Sequence, residues 1–217
     1  MSFFSNLRLA RQEKRDTARR AAGETFWTWF LENKAFLESY VENTHAVVSA
    51  IGERLAAVNP RLTFEMGQAN DGVYEFIVSA DGISAVFPVV TDLTKLAPTI
   101  DGWRVIAFRP RKPESLGNTV TLEGMDLPTS ALWYRSRDHD DRIDITLFVE
   151  GSDMDEAQAY LGPIFILLDA TLGEYDVATR IGHIEFDDCP AAPVEAGLKP
   201  VLELAREVDL RFGRADA

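Results

Sequence analysis

Cys189 is the only cysteine in the 217-residue chain, so no intrachain disulfide can form. A lone thiol fits a reducing compartment. Asp187 and Asp188 beside it are expected to raise its pKa and make it a poor nucleophile. Long apolar runs are also missing. None approaches the roughly 20 residues that cross a bilayer, so no membrane span is expected. Phe3 and Phe4 are followed at once by Ser5, Asn6 and Arg8, which is not the apolar core of a secretory signal. The expected setting is the cytoplasm. Positive charge is scarce, with 22 Lys plus Arg against 35 Asp plus Glu and a formal net charge of −13. Such a field repels phosphate backbones, so nucleic acid is not an expected partner. The charge is uneven. Residues 1–20 hold Arg8, Arg11, Lys14, Arg15, Arg19 and Arg20 against Glu13 and Asp16, and this basic leader is expected to dock on the acidic body.

Motifs of catalysis are absent as well. The chain has no Gly-x-Ser-x-Gly, no phosphate-cradling glycine loop with Lys-Ser or Lys-Thr, no Gly-x-Gly-x-x-Gly, no His-Glu-x-x-His and no paired Cys-x-x-Cys. The balance leans against an enzyme, and no cofactor is expected.

What is present is periodicity. Residues 6–22 are rich in helix formers, with Gly23 read as a break. Phe26, Phe30, Leu37 and Tyr40 then form a helical stripe, widened by Trp27 and Leu31, expected to pack on a sheet. Asn43 or Thr44 can cap a third helix through Val47, Ile51 and Leu55, stopped by Pro60. After Pro60 the period falls to two. Leu62, Phe64 and Met66 alternate with polar residues, Asn70-Asp71-Gly72 is a turn, and Val73 to Ser79 is a second strand. Residues 83–97 favour a helix, with a short strand at 83–87 as the alternative. Trp103 to Phe108 is a strand, and Asn118 to Leu122 another.

The same order returns. Strands are expected at 132–135 and 143–149, a helix over 153–172 kinked or split at Gly162-Pro163, a long strand over 175–186 introduced by Gly173, and a terminal amphipathic helix over 200–212. The predicted fold is α+β: two ferredoxin-like strand-strand-helix-strand units forming a mainly antiparallel sheet system, with an N-terminal helical layer and a C-terminal helix. The expected divisions are 1–59, 60–128 and 129–217 within one compact domain.

Three stretches can carry chemistry. His183, Glu185 and Asp187 share one strand face and form a metal or acid–base candidate, against the plainer reading of a solvated face. Asp138, His139, Asp140 and Asp141, with Asp144 nearby, offer oxygen ligands to a hard cation but lack the glycine and terminal glutamate of an EF-hand, so a solvated turn is favoured. Arg104, Arg109, Arg111 and Lys112 surround one strand of an acidic protein. They can recognise an anion or pair internally with Glu65, Glu75, Glu174 or Asp176, and internal pairing is favoured. The binding candidates are therefore Arg104, Arg109, Arg111, Glu75, Glu174 and Asp176.

Phe26-Trp27-x-Trp29-Phe30, Ser79-Ala80-Asp81-Gly82, Gly102-Trp103 running into Ala107-Phe108-Arg109-Pro110-Arg111, and Leu172-Gly173-Glu174-Tyr175-Asp176-Val177 resemble a family of uncharacterised bacterial proteins. The likeness spans about residues 24–186. It implies a bacterial cytoplasmic setting, no mechanism, and a slight preference for Arg109, Glu174 and Asp176. The leading expectation is a non-catalytic binding or regulatory protein with a protein partner or self-association. The alternatives are an enzyme, such as a hydrolase, with a carboxylate and arginine site between the two units, and a small-anion sensor built on Arg109 and Arg111.

Overall fold

A computed structural model describes residues 3–213. The Arg8 and Arg11 side chains of the basic leader lie outside the described residues. The fold mixes helices with three small, mainly antiparallel sheets among the described residues. The chain divides into two compact units, one ending at Phe108 and the other beginning at Arg109.

The first unit begins with three helices: α1 (Phe3–Glu32), α2 (Lys34–Glu38) and α3 (Thr44–Val58). Gly23 does not break α1. A Cβ there would come within 3.0 Å of Leu96 Cδ1 and 3.3 Å of Leu93 Cδ1, so the glycine permits close approach of a later helix. The sheet follows as β1 (Thr63–Gln68), β2 (Tyr74–Ser79) and β3 (Trp103–Ala107). β1 runs antiparallel to β2 in the register Thr63↔Ser79 to Gln68↔Tyr74, and β2 pairs directly and in parallel with β3. The crossover between the parallel strands is α4 (Phe87–Lys95), with Pro88 in its first turn. Residues 84–86 are a 3-10 turn, which disposes of the alternative strand at 83–87.

The stripe on α1 meets this sheet. Phe26, Trp27 and Phe30 are buried, with Phe26 stacked on Phe76 at 5.9 Å and Phe30 edge-on to Trp103 at 5.0 Å. Burial of each such ring stabilises by about 2–3 kcal/mol, and the ring pairs add about 1 kcal/mol. Trp27 donates its indole N–H to the Leu93 carbonyl at 2.8 Å, so the buried polar atom is satisfied. Leu31 does not widen the stripe; it is exposed. Phe108 leaves β3 with φ +66°, its N–H held by the Val78 carbonyl at 2.8 Å.

The second unit opens with a hairpin of β4 (Thr119–Leu122) and β5 (Met125–Pro128), turned at Glu123 and Gly124, both with positive φ. A four-stranded sheet follows in the order β8-β7-β6-β9, built from β6 (Leu132–His139), β7 (Arg142–Val149), β8 (Ile181–Phe186) and the short β9 (Lys199–Pro200). β6 and β7 are antiparallel, and β7 and β8 are parallel with an irregularity between Ile143 and Ile145. Between β7 and β8 lie α5 (Met154–Ala157), a 3-10 turn, α6 (Leu161–Leu172) and α7 (Glu174–Arg180); α8 (Leu204–Phe212) closes the unit. The helix expected over 153–172 is therefore split just ahead of Pro163.

The strand expected over 175–186 is corrected. Residues 174–180 are helical, and only Ile181–Phe186 is strand. Glu174 and Asp176 sit in the first turn of α7 and Arg180 in the last, the charge order that a helix dipole favours. Gly173 introduces this helix rather than a strand. The core of the second unit gathers Leu132, Tyr134, Ile145 and Leu147 of the sheet with Ile164, Leu168 and Val208 of the helices.

In both sheets the parallel strands are direct neighbours. A ferredoxin-like split unit would set a strand between them, so that part of the expectation is not met.

Candidate functional site

The six binding candidates fall into two groups. In the first unit, Arg104 on β3 donates to Glu75 on the adjacent β2 at 2.7 Å and to Asp71 in the hairpin turn at 3.0 Å. The parallel register sets Glu75 opposite Arg104, which makes the pair a consequence of strand pairing. The Val73 backbone N–H first, and the Arg104 guanidinium second, hold the Asp71 carboxyl below its ordinary value.

The other four lie together in the second unit. Residues 109–112 form a strap across the α6–α7 junction. Glu174 is fully buried; its carboxylate accepts the Arg109 backbone N–H at 3.1 Å, and its own N–H donates to the Arg109 carbonyl at 3.0 Å. The Lys112 N–H donates to the Ala170 carbonyl at 2.8 Å. Arg109 reaches Asp169 at 3.6 Å. The Arg111 guanidinium contacts Asp209 at 2.9 Å, Asp176 at 3.1 Å and the Leu172 carbonyl at 3.2 Å. An anion arriving at Arg111 must compete with two carboxylates already in place. Asp169 and Asp209 were not among the residues singled out from sequence. Asp209 lies on an amphipathic terminal helix like any solvent-facing acid, and no local spacing marks it.

Asp144 joins part of the two polar stretches of the second unit, while Asp138 and the Asp140 carbonyl are engaged by Arg211 and Asp187 lies just past the end of β8. Asp144, nearly buried on β7, accepts the His183 backbone N–H at 2.8 Å through Oδ1. Its Oδ2 meets Arg137 at 3.0 Å and His139 Nδ1 at 3.0 Å. Gly182 has no side chain because a Cβ there would collide with Asp144 Oδ1. The His183 backbone N–H first, then Arg137, hold the Asp144 carboxyl down to about 2, while burial opposes them. A small hollow of about 160 Å³ beside it is lined by Arg135, Arg137, Asp144, Thr146, His183 and Glu185. His183 meets Glu185 at 3.4 Å, and among the described residues no three His, Cys, Asp or Glu side chains converge to hold a metal.

A carboxylate orienting a histidine supplies two members of a nucleophilic triad, and among the described residues no hydroxyl or thiol is bonded to His139. The Ser136 hydroxyl is engaged by Glu207, a residue of α8. Burial first and Glu150 second push the Cys189 thiol up, the direction expected from sequence but with a different acidic neighbour. The arrangement orders a sheet face.

Asp144 should make this unit sensitive to acid. A carboxyl depressed in the folded state contributes stability that is complete above its ordinary value of 3.8 and is lost as pH falls through about 2. In urea denaturation, the wild type is therefore more stable than Asp144→Asn above about pH 4, and the gap closes towards about pH 2. A gap independent of pH would refute this assignment.

The last feature is apolar. α6 carries hydrophobic residues on every side. Ile164, Leu167 and Leu168 are buried, yet Phe165 and Ile166 remain 45% and 40% exposed. A fully hydrophobic helix is normally enclosed. Gly162 lets β4 lie on this helix, since a Cβ there would stand 2.5 Å from Leu122 Cδ2. Helical spacing puts Phe165 and Ile166 on the face that Gly162 begins, beside the exposed Leu122 and Leu161. The result is one contiguous apolar patch.

No helix of the described residues is long and apolar enough to cross a membrane. Comparison with protein-family models, curated proteins and solved structures gives no match.

Proposed function

We propose that this chain is a non-catalytic binding or regulatory protein of the bacterial cytoplasm that acts through protein contacts. The exposed face of α6 carries this reading. Leu161, Phe165 and Ile166 on this helix, with Leu122 of β4, stand in water at a cost that a covering protein surface removes. The net charge of −13 opposes a second copy and favours a partner with an apolar centre and a basic rim. The same charge argues against nucleic acid as the partner. The repeated order strand, strand, helix, strand, with antiparallel then parallel pairing in both sheets, supports an internally duplicated scaffold.

The enzyme reading draws on the Asp144–His139 pair alone. The anion-sensor reading loses support from the carboxylates that already engage Arg111.

The test compares Phe165→Glu/Ile166→Lys with Val41→Glu, a change at an exposed residue of the first unit, as baits in extract of the native host. One basic protein should co-purify stoichiometrically with the wild type and with Val41→Glu. Its recovery should drop by about tenfold or more with the patch variant and decline as salt is raised. Equal recovery on all three baits, or recovery on none, removes the proposal.

A further inference from the structure

The first unit holds a concave site that the α6 reading does not use. A cleft of about 320 Å³ opens where α1, the end of α3 and α4 meet. Its apolar lining is Val58, Val89, Leu93 and Leu96. Gly23 lies among them inside α1, where glycine is a poorer helix former than alanine. A larger residue would run into Leu93 and Leu96, so the glycine keeps this wall close and bare.

The charged lining is ordered. Arg19 bridges Asp16 at 3.0 Å and Asp92 at 2.9 Å, linking α1 to α4 along one wall. Arg20 is held by Glu24 at 3.1 Å. Lys95 is different. It also lines the cleft, it stands in the last turn of α4, and it makes no ion pair with a described residue. A cation left open beside an apolar floor is a place for an anion, and the acidic charge of the rest of the chain makes it an unusual one.

We propose that this cleft binds a small amphipathic carboxylate, with its apolar body on Val58, Val89 and Leu96 and its carboxylate on Lys95. The volume lies at the lower end of the range for small-molecule sites, which suits an acid of about a dozen non-hydrogen atoms. Lys95 supplies a charge-assisted hydrogen bond, and the apolar wall supplies contact area. The acid group makes the difference between a ligand and a merely greasy solute.

The experiment is a titration of the full-length, nitrogen-15-labelled chain, followed by amide resonances, with 4-phenylbutyrate and with its neutral counterpart 4-phenylbutanol. The acid should shift Gly23, Leu93 and Leu96 saturably. The alcohol should bind about tenfold more weakly, as loss of one charged contact implies. Lys95→Glu should weaken the acid by about tenfold or more and leave the alcohol unchanged, while Lys95→Arg retains binding. Lys95→Arg should leave the unfolding midpoint in place, and Lys95→Glu, which reverses a charge in the last turn of α4, should lower it slightly while the chain stays folded. Absence of saturable shifts, equal affinity for acid and alcohol, or undiminished binding of the acid by Lys95→Glu would each overturn the proposal.

Discussion

Replacing Gly173 by alanine should lower the stability of the second unit by about 3 kcal/mol, one of the two largest effects expected in this protein. Two causes act together. Gly173 has φ +83° and ψ 148°, a region that side-chain-bearing residues hardly enter. A Cβ there would also stand 3.3 Å from the Arg109 carbonyl oxygen and 3.3 Å from the Arg111 nitrogen. Those neighbours are backbone, and the strap they belong to is fixed by the Glu174 and Lys112 hydrogen bonds, so it cannot yield without losing them. Gly197 is the control. It also has positive φ, at +76°, but a Cβ there meets nothing within 4 Å. Gly197→Ala should therefore cost only the conformational part, about 1 kcal/mol. Urea denaturation of both variants measures the difference. Equal costs would show that close approach of the strap contributes nothing.

The same glycine shows where the sequence could be read and where it could not. Gly173 marks a boundary in either interpretation, but Tyr175, Val177 and Thr179 alternate like a strand, while Glu174, Asp176 and Arg180 have the charge order of a short helix. Local pattern fits both, and burial of Glu174 against Arg109, a contact distant in sequence, goes with the helix. Gly23 misleads for the opposite reason. Its role is set by Leu93 and Leu96, some seventy residues on, and nothing near it announces that. The first strand was legible from its alternation, β2 from a short run of strand formers between turn signals although it is buried at four consecutive residues, Phe76 to Ser79, and the aromatic stripe of α1 from its helical period, which sets Phe26 on Phe76 and Phe30 on Trp103.

The polar residues divide similarly. Glu75 could be named as a partner for Arg104 because neighbouring strands bring their faces together. Asp144 was visible only as one more acid near a turn. Its bond to the His183 backbone needs the parallel pairing of β7 with β8, and that pairing depends on a crossover the sequence pattern places only roughly. The hairpin of β4 and β5 was half seen. Glu123-Gly124 is a usable turn signal, but β5 is four residues long and ends in proline, too brief for periodicity to register.

Arg111→Met should be the second large loss, about 2 kcal/mol. The methionine keeps much of the packing volume and removes every donor. Asp209 and Asp176, the latter left with Arg180 at 3.9 Å, then face each other's charge without the shared guanidinium, in side chains only 30% and 18% exposed. The cost is set below that of a fully buried pair because water reaches both carboxylates in part. Arg111→Lys should recover only part of it, since one ammonium cannot satisfy both carboxylates and the Leu172 carbonyl in the same geometry. The decisive variant is Arg111→Met/Asp209→Asn. If the arginine is there to hold the strap, removing one of the stranded charges restores about 1 kcal/mol, and the two substitutions are coupled. If Arg111 instead recognises an outside anion, Arg111→Met leaves the unfolding midpoint untouched, and the double variant gains nothing over the single one.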